Sequence, residues 1–157
     1  MADYLFIKFD GIKGTAKQAK FEDFIEVKSF SENYVYNVAC GEITSAGTSV
    51  SHSGFTISKA IDKATPELLN HLNQRLQVKK VNFHMLTDDI GLGGNAGGKK
   101  LIYEVEMEDC RIANVSIAGV DGQGLPDETV TIVYGKITWK YDGAVAAHNF
   151  RDWANGK

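Results

Sequence analysis

The chain has 157 residues, of which 43% are hydrophobic and 24% charged, with 17 basic against 20 acidic side chains and a net charge of −3. This length and composition predict a single folded domain over residues 1–157 rather than a disordered chain. The basic residues are dispersed and no apolar run approaches the roughly 20 residues that span a bilayer, so we expect no nucleic-acid partner and no membrane insertion.

The first residues and the two cysteines indicate the compartment in which the chain is made. The opening Met1-Ala2-Asp3 lacks the basic segment of a signal peptide, so we expect synthesis in the cytoplasm without one. Cys40 and Cys110 fit no metal-ligand spacing, and a reducing compartment keeps thiols free. We therefore predict two free cysteines, with Cys110 as a small buried filler.

The chain opens with an apolar strand that ends at an Asp10-Gly11 turn. Leu5 and Ile7 fall on one face of this strand, whereas Tyr4 and Phe6 fall on the other. Because both faces carry large side chains, neither is expected to lie against water.

Further strands are predicted wherever apolar and polar residues alternate. Gly135 lies where the last of these runs changes its apolar phase, which predicts a bulge or a sharp bend. The predicted strands cover residues 24–31, 55–59, 80–85, 103–108, 112–118 and 130–141.

One helix interrupts this series. Thr65 is predicted as its N-cap, Pro66 takes the first helical position, and Glu67 faces the positive end of the helix dipole. The apolar stripe consists of Leu68, Leu69, Leu72 and Leu76. We expect Leu72 to lie in the core together with Trp139 from the last strand.

With seven or eight strands and one helix, the sequence predicts a mainly β fold. A closed or nearly closed antiparallel β-barrel, or two packed sheets, with one flanking α-helix hides the sheet edges most economically. The core is expected over about residues 3–141. Residues 142–157 form a C-terminal extension, either a tail or a segment that docks through Phe150 and Trp153.

Two segments do not fit the strand pattern. Residues 33–53 combine an aromatic first half with a polar second half and are long for a hairpin connection, which indicates an excursion from the body. Residues 90–98 hold five glycines and are predicted to be a mobile loop.

The motifs that carry chemistry all have simpler explanations. Residues 93–100 nearly match a phosphate-binding loop, but Lys100 replaces the magnesium-binding hydroxyl and a strand follows where a helix is required. The acidic row of Glu104, Glu106 and Glu108 is typical of a solvated face, or of one that meets lysines of a neighbouring subunit. We expect no catalytic residue, no cofactor and no metal site.

The four histidines have no metal-ligand spacing. They are His52, His71, His84 and His148. His84 beside Asp88 or Asp89 is the one pair suited to acid–base chemistry, yet such pairs are common at surfaces and the surface interpretation is preferred.

Four features, in order, resemble the haemolysin-coregulated protein (Hcp) family of the bacterial type VI secretion system: residues 4–14, 25–31, 55–69 and 130–141. The third is the most specific, because Asp62-Lys63-Ala64-Thr65-Pro66 looks like the family's link between strand and helix. After Ser29-Phe30-Ser31 the family often continues with Trp-Gly, where this chain has Glu32-Asn33.

The resemblance implies a structural tube protein and no catalysis. It implies hexameric rings that stack into a tube, export through the type VI system, sheath and spike components as partners, and small effectors carried in the lumen. The family's extended loop corresponds to residues 33–53 here. The predicted assembly residues are therefore Tyr34, Val35, Tyr36 and Val38.

Two other functions stay open from the residues alone. One is a small nucleotide-binding enzyme that uses residues 91–98. The other is a monomeric β-barrel that binds a ligand in an apolar cavity.

Overall fold

The computed structural model describes residues 4–14, 16, 21–36, 40–41, 50–88 and 99–150. Nine strands and one helix lie in these residues, so the predicted mainly β fold with one helix is confirmed. In chain order the elements are β1 (Tyr4–Phe9), β2 (Ile25–Val27), β3 (Ser29–Tyr36), β4 (Val50–Ala60), α1 (Thr65–Gln74), β5 (Gln77–Asp88), β6 (Lys99–Ala118), β7 (Asp127–Val133), β8 (Lys136–Tyr141) and β9 (Ala144–Asn149). Within the described part of the chain, no helix has the length and apolarity needed to cross a membrane.

The nine strands form one antiparallel sheet with the order β2-β1-β5-β6-β7-β4-β3, and β8 joins β9 to β6. Its two end strands, β2 and β3, are consecutive in the chain and are separated only by Lys28. The amide of Lys28 donates a hydrogen bond to the Ser58 carbonyl of β4 at 2.7 Å. Among the described strands no ladder closes the path, so a closed barrel is not confirmed.

Strand β6 is a single strand of 20 residues, where the sequence predicted two. Conversely, the predicted long strand over residues 130–141 is divided into β7 and β8, which follow each other along the same edge of β6. β6 bends at Asp109, which has a φ of 55°. The chain between β7 and β8 bends beside it at Gly135, whose amide donates to the Glu108 carbonyl at 3.0 Å. The alternation of apolar and polar residues breaks before Asp109, which is why the sequence predicted a strand end there. The strand instead continues, because Asp109 alone adopts a left-handed backbone conformation within it. The predicted bend at Gly135 is confirmed.

The core is enclosed by a sheet that curves around it. Phe83 of β5 contacts Phe55 of β4, with ring centroids 5.0 Å apart, and Phe30 of β3 at 4.6 Å. Because β4 and β5 are not neighbours in the sheet, these contacts require its two halves to face each other. One apolar cluster therefore lies between them.

The second face of β1 is covered by the chain itself. Phe6 is buried in a separate small cluster with Ala16 and Leu86, and its ring stacks on Phe21 at 4.8 Å. The expectation that both faces of β1 lie away from water is confirmed. No neighbouring subunit is needed to explain the outer apolar residues.

Helix α1 packs its apolar stripe against β6 only in part. Leu68 is fully buried, Leu69 and Leu72 are half-buried, and Leu76 lies beyond the helix and is exposed. Leu72 and Trp139 thus lie at the edge of the core rather than inside it, because each is only partly covered by the core cluster.

The N-cap of α1 is Ala64, not Thr65 as predicted. The Thr65 hydroxyl accepts a hydrogen bond from the Asp62 amide at 3.0 Å and donates one to the Glu128 carboxylate at 2.6 Å. It is therefore occupied by tertiary contacts, and the Asp62 carboxylate accepts from the Ala64 amide instead, at 2.9 Å.

A fully buried ion pair fixes this helix to the sheet. Lys59 Nζ of β4 lies 2.8 Å from Glu128 Oε2 of β7 and 2.9 Å from Asp62 Oδ1, and neither Lys59 nor Glu128 is accessible to solvent. The sequence carried a signal for it, since Phe55, Ile57 and Lys59 share one face of β4.

Replacing Lys59 with Met should lower the free energy of unfolding by about 3–5 kcal/mol, because Glu128 then remains as an unpaired buried charge. Urea denaturation followed by circular dichroism measures the change. The double variant Lys59→Met/Glu128→Leu should recover part of the loss, and the exposed control Lys63→Met should behave like the parent. Equal stability of Lys59→Met and Lys63→Met would contradict the buried pair.

Truncating Leu68 to Ala should lower the free energy of unfolding by about 2–5 kcal/mol, since the side chain is fully buried. Leu72→Ala should have a smaller effect because the side chain is half-buried, and Leu76→Ala should have almost none. Thermal denaturation of the three variants should give this order, and any other order would show that α1 packs differently.

Candidate functional site

The strands β3 and β4 continue past the core as a two-stranded segment formed by residues 33–36 and 50–53, here called the hairpin extension. The predicted excursion over residues 33–53 is thus strand at both of its described ends. Tyr34, Val35 and Tyr36 are 37%, 41% and 47% exposed. Val38, the fourth predicted assembly residue, lies outside the described residues.

A β-bulge marks the point where the hairpin extension begins. Between the partners of Glu32 and Tyr34, β4 carries one residue more than β3. Gly54 lies in this stretch with a φ of +85°, and a Cβ atom there would come within 2.9 Å of the Ile132 carbonyl oxygen. Only glycine satisfies both the left-handed backbone and the close approach, so the bend is built into the sequence.

Tyr34 is anchored to the body of the protein. Its ring meets the Trp139 ring edge-on at 5.2 Å and the His52 ring at 4.8 Å. Its hydroxyl donates to Glu32 Oε1 at 2.6 Å and accepts from Trp139 Nε1 at 3.0 Å. The two predicted tyrosines therefore differ, because Tyr34 holds the hairpin extension in place whereas Tyr36 is more exposed.

The Glu32 carboxylate collects three aromatic donors. Besides Tyr34, Trp139 Nε1 donates to Oε1 at 3.0 Å and the Tyr103 hydroxyl donates to Oε2 at 2.7 Å. Burial, together with the nearby Glu32 carboxylate, raises the pKa of Tyr34 and Tyr103, so both hydroxyls keep the protons that they donate.

Glu32 is not among the site residues that the sequence predicted. A signal was present, because the side chain shares the inward face of β3 with Phe30 and Tyr34 at a spacing of two. A carboxylate on such a face needs donors, and the aromatic residues with polar atoms are the obvious candidates.

Strand β9 forms the outer side of this region and lies within the predicted C-terminal extension over residues 142–157. It pairs with β8, and its end brings His148 and Phe150 to His52, with ring centroids at 5.1 and 4.8 Å. Burial and the charge of His148 lower the pKa of His52. Phe150 docks on His52, in agreement with the alternative in which the extension packs through its aromatic residues. Trp153 lies outside the described residues.

The other histidines do not form a site. His84 Nε2 lies 3.5 Å from Glu104 Oε1, and burial lowers the pKa of His84. The predicted pairing of His84 with Asp88 or Asp89 lies outside the described residues, which include neither the side chain of Asp88 nor any part of Asp89. His71 Nδ1 lies 2.8 Å from the Glu67 carbonyl of its own helix. Among the residues that the structure describes, no three His, Cys, Asp or Glu side chains are placed to hold a metal ion.

The acidic row on β6 pairs with lysines of the same chain. Glu106 lies 3.3 Å from Lys140 and 3.7 Å from Lys80, and Glu108 lies 3.5 Å from Lys136. Burial opposes ionisation of Glu106, but a hydrogen bond to Lys140 and the charges of Lys80 and Lys140 lower its pKa overall. These exposed pairs set strand register more than stability.

The remaining sequence motifs are placed as follows. Residues 91–98 lie outside the described residues, but β6 begins at Lys99, so a strand follows the glycine-rich segment as predicted and the helix of a phosphate-binding loop is missing there. Cys40 is exposed, Cys110 is buried, and both are free thiols. Burial and the charges of Asp109 and Glu108 raise the pKa of Cys110 to about 12.

Comparison with known proteins identifies the family. The family model described as "Type VI secretion system effector, Hcp" matches residues 6–141. The chain belongs to the Hcp family. It is therefore a tube protein of type VI secretion, as the resemblance in the sequence implied.

Solved Hcp structures share the fold. A crystal structure of an Hcp protein aligns with a TM-score of 0.80 at 19% identity, over 94% of this chain and 99% of that one. A type VI secretion system effector from Yersinia pestis aligns with a TM-score of 0.72 at 24% identity, over 92% and 98%. A structure described as a type six secretion system protein gives 0.80 at 20% identity, over 96% and 98%. No curated protein sequence gives a significant match.

Tyr34→Ala should destabilise the fold by about 2 kcal/mol, because it removes a hydrogen bond to a carboxylate and an edge-on aromatic contact. Tyr36→Ala should change stability by less than about 0.5 kcal/mol, as is usual for surface substitutions. Denaturant titration of the two variants at one protein concentration measures both values. Equal losses would show that Tyr34 is not anchored as described.

Proposed function

We propose that this Hcp chain assembles into hexameric rings that stack into the type VI inner tube. The observation that carries the proposal is the family match over residues 6–141. The chain also has its own complete core, and it carries exposed apolar residues on a segment that extends from the body. Such a segment is suited to contact a neighbour without contributing to the fold.

Within this assembly, the sheet acts as a closed or nearly closed barrel with α1 on its flank. The contact of Phe55 with Phe83 across the core supports closure, because it joins strands that are not neighbours in the sheet. Strands β2 and β3 share one continuous segment, so the segment pairs with β1 at its start and with β4 at its end.

The hairpin extension is the part proposed to bridge subunits or rings. Tyr36 and Val50 are both more than 40% exposed and are cross-strand partners, so they offer one apolar surface on the same face of the hairpin extension. Val35 is also more than 40% exposed, on the opposite face. Interfaces of this kind depend on a few aromatic and aliphatic anchors. Val38, which lies outside the described residues, is proposed as a further assembly residue.

The tube leaves the cell through the type VI system, with the sheath and spike as partners and small effectors as cargo in the lumen. The protein acts structurally and needs no cofactor. A ligand-binding monomer and a nucleotide-binding enzyme are the alternatives. The oligomeric mass measured below separates the ring from the monomer, and calorimetric titration with ATP, GTP and NAD tests the enzyme.

Sedimentation velocity at micromolar concentration should show a species of six protomers, and negative-stain electron microscopy should show rings. Tyr36→Ala should weaken ring formation by about thirtyfold, which corresponds to a hot spot of about 2 kcal/mol. Circular dichroism of the variant should stay native, because Tyr36 lies outside the core. A parent protein that stays monomeric at all concentrations would refute the ring. Rings of unchanged affinity in Tyr36→Ala would remove the hairpin extension from the interface.

A further inference from the structure

The hairpin extension is attached to the body mainly through side chains at its base. Beyond the bulge, its backbone pairs only β3 with β4, and a two-stranded ribbon by itself is marginal in water. Its direction must therefore be set by what holds the first residues after the bend. Two groups of contacts do so: His52, whose Nδ1 lies 2.8 Å from the Tyr134 hydroxyl and whose ring meets those of His148 and Phe150, and the hydrogen bonds around Glu32.

We propose that Glu32 is a positioning residue for assembly: its carboxylate locks the hairpin extension onto β6 and β8 and so fixes the direction in which the extension reaches a neighbouring subunit. This inference rests on the proposed function, since it assumes that the hairpin extension makes the contact.

The geometry of the carboxylate supports this role. Its two oxygens accept from Tyr34 of the hairpin extension, Tyr103 of β6 and Trp139 of β8, at 2.6, 2.7 and 3.0 Å. These donors come from three strands, so one side chain ties the extension to β6 and β8, neither of which pairs with β3. Hydrogen bonds to an ionised group are about twice as strong as neutral ones.

Glu32 lies at the point in the chain where its hydrogen bond to Tyr34 can fix the direction of the hairpin extension. The residue immediately precedes the bulge, on the body side, and Tyr34 immediately follows it, on the extension side. The Tyr34–Glu32 bond therefore spans the bend itself. Among the ion pairs of the described residues none involves Glu32, so the carboxylate is held by these uncharged donors rather than by a lysine or arginine.

The test compares Glu32→Leu, which cannot accept a hydrogen bond, with Glu32→Gln, which keeps an acceptor oxygen. Glu26→Leu is the matched control, because Glu26 is exposed on β2, the strand before β3 in the chain, and its loss changes net charge equally. Two readouts are needed: the indole N–H resonance of Trp139 with amide exchange of the hairpin extension, and ring formation by sedimentation.

The Trp139 indole resonance should shift in Glu32→Leu, and amides of the hairpin extension should exchange about tenfold faster or more, as expected when a hydrogen bond to a charge is lost. Exchange is compared at a concentration where sedimentation finds parent and variants in the same oligomeric state, and the resonance is assigned with Trp153→Phe. Ring formation should weaken in Glu32→Leu, while Glu32→Gln should retain most of it and Glu26→Leu all of it.

Each outcome separates the lock from the assembly role. An unchanged indole resonance and unchanged exchange in Glu32→Leu would overturn the lock, whatever happens to the rings. A loosened hairpin extension with normal rings would support the lock to the body but overturn its role in assembly, and with it the proposed interface. Loss of ring formation in Glu26→Leu as well would assign the effect to charge.

If Glu32→Leu fails to fold, Tyr103→Phe provides the same test. It removes only the hydroxyl that donates to Glu32 Oε2 and keeps the ring that packs on the core. Faster exchange of the hairpin extension in a folded Tyr103→Phe supports the lock, and unchanged exchange overturns it.

Discussion

The fold depends on one strand that serves both halves of the sheet. Arg111 of β6 is paired with β5 on one edge and with β7 on the other, and β8 takes over that second edge before the bend at Asp109. The break between β7 and β8 lies beside the left-handed Asp109 of β6, where the Gly135 amide donates to the Glu108 carbonyl at 3.0 Å. The sheet encloses an interior in which Phe55 and Phe83 face each other.

Two local features of β4 accompany this arrangement, a buried ion pair near its end and a bulge within it. At one end the buried Lys59–Glu128 pair connects β4, β7 and the start of α1, and at the other the Gly54 bulge releases the hairpin extension. Neither feature is favoured by stability alone. Burying a charge costs free energy unless the charge is paired, and a left-handed bulge interrupts the hydrogen bonds between the strands. They specify where the helix docks and where the hairpin leaves, which an apolar contact would define less sharply.

A tube subunit needs a rigid body and a contact segment with a defined direction. The outer face of β1 in this Hcp protein is covered by the chain's own residues in the Phe6–Phe21 cluster, so its apolar side chains serve the fold. The exposed apolar residues of the hairpin extension lie beyond the core. Glu32 connects the two parts, because its carboxylate belongs to the body and its shortest bond is made to Tyr34 of the extension.

The sequence by itself determined the strand pattern, the helix beginning near Pro66, the bend at Gly135 and the family, because these depend on local periodicity, local backbone preference and short motifs. Only the tertiary structure decided that β6 continues through Asp109, that Thr65 serves Glu128 rather than the helix end, and that residues 144–149 form a strand. It also decided that Tyr34, two residues before Tyr36 on β3, is the tyrosine that packs against Trp139 and bonds to Glu32. Each of these depends on partners far away in the chain, such as Trp139 for Tyr34, and a pattern of neighbours in sequence does not record which distant side chain meets a given residue in space.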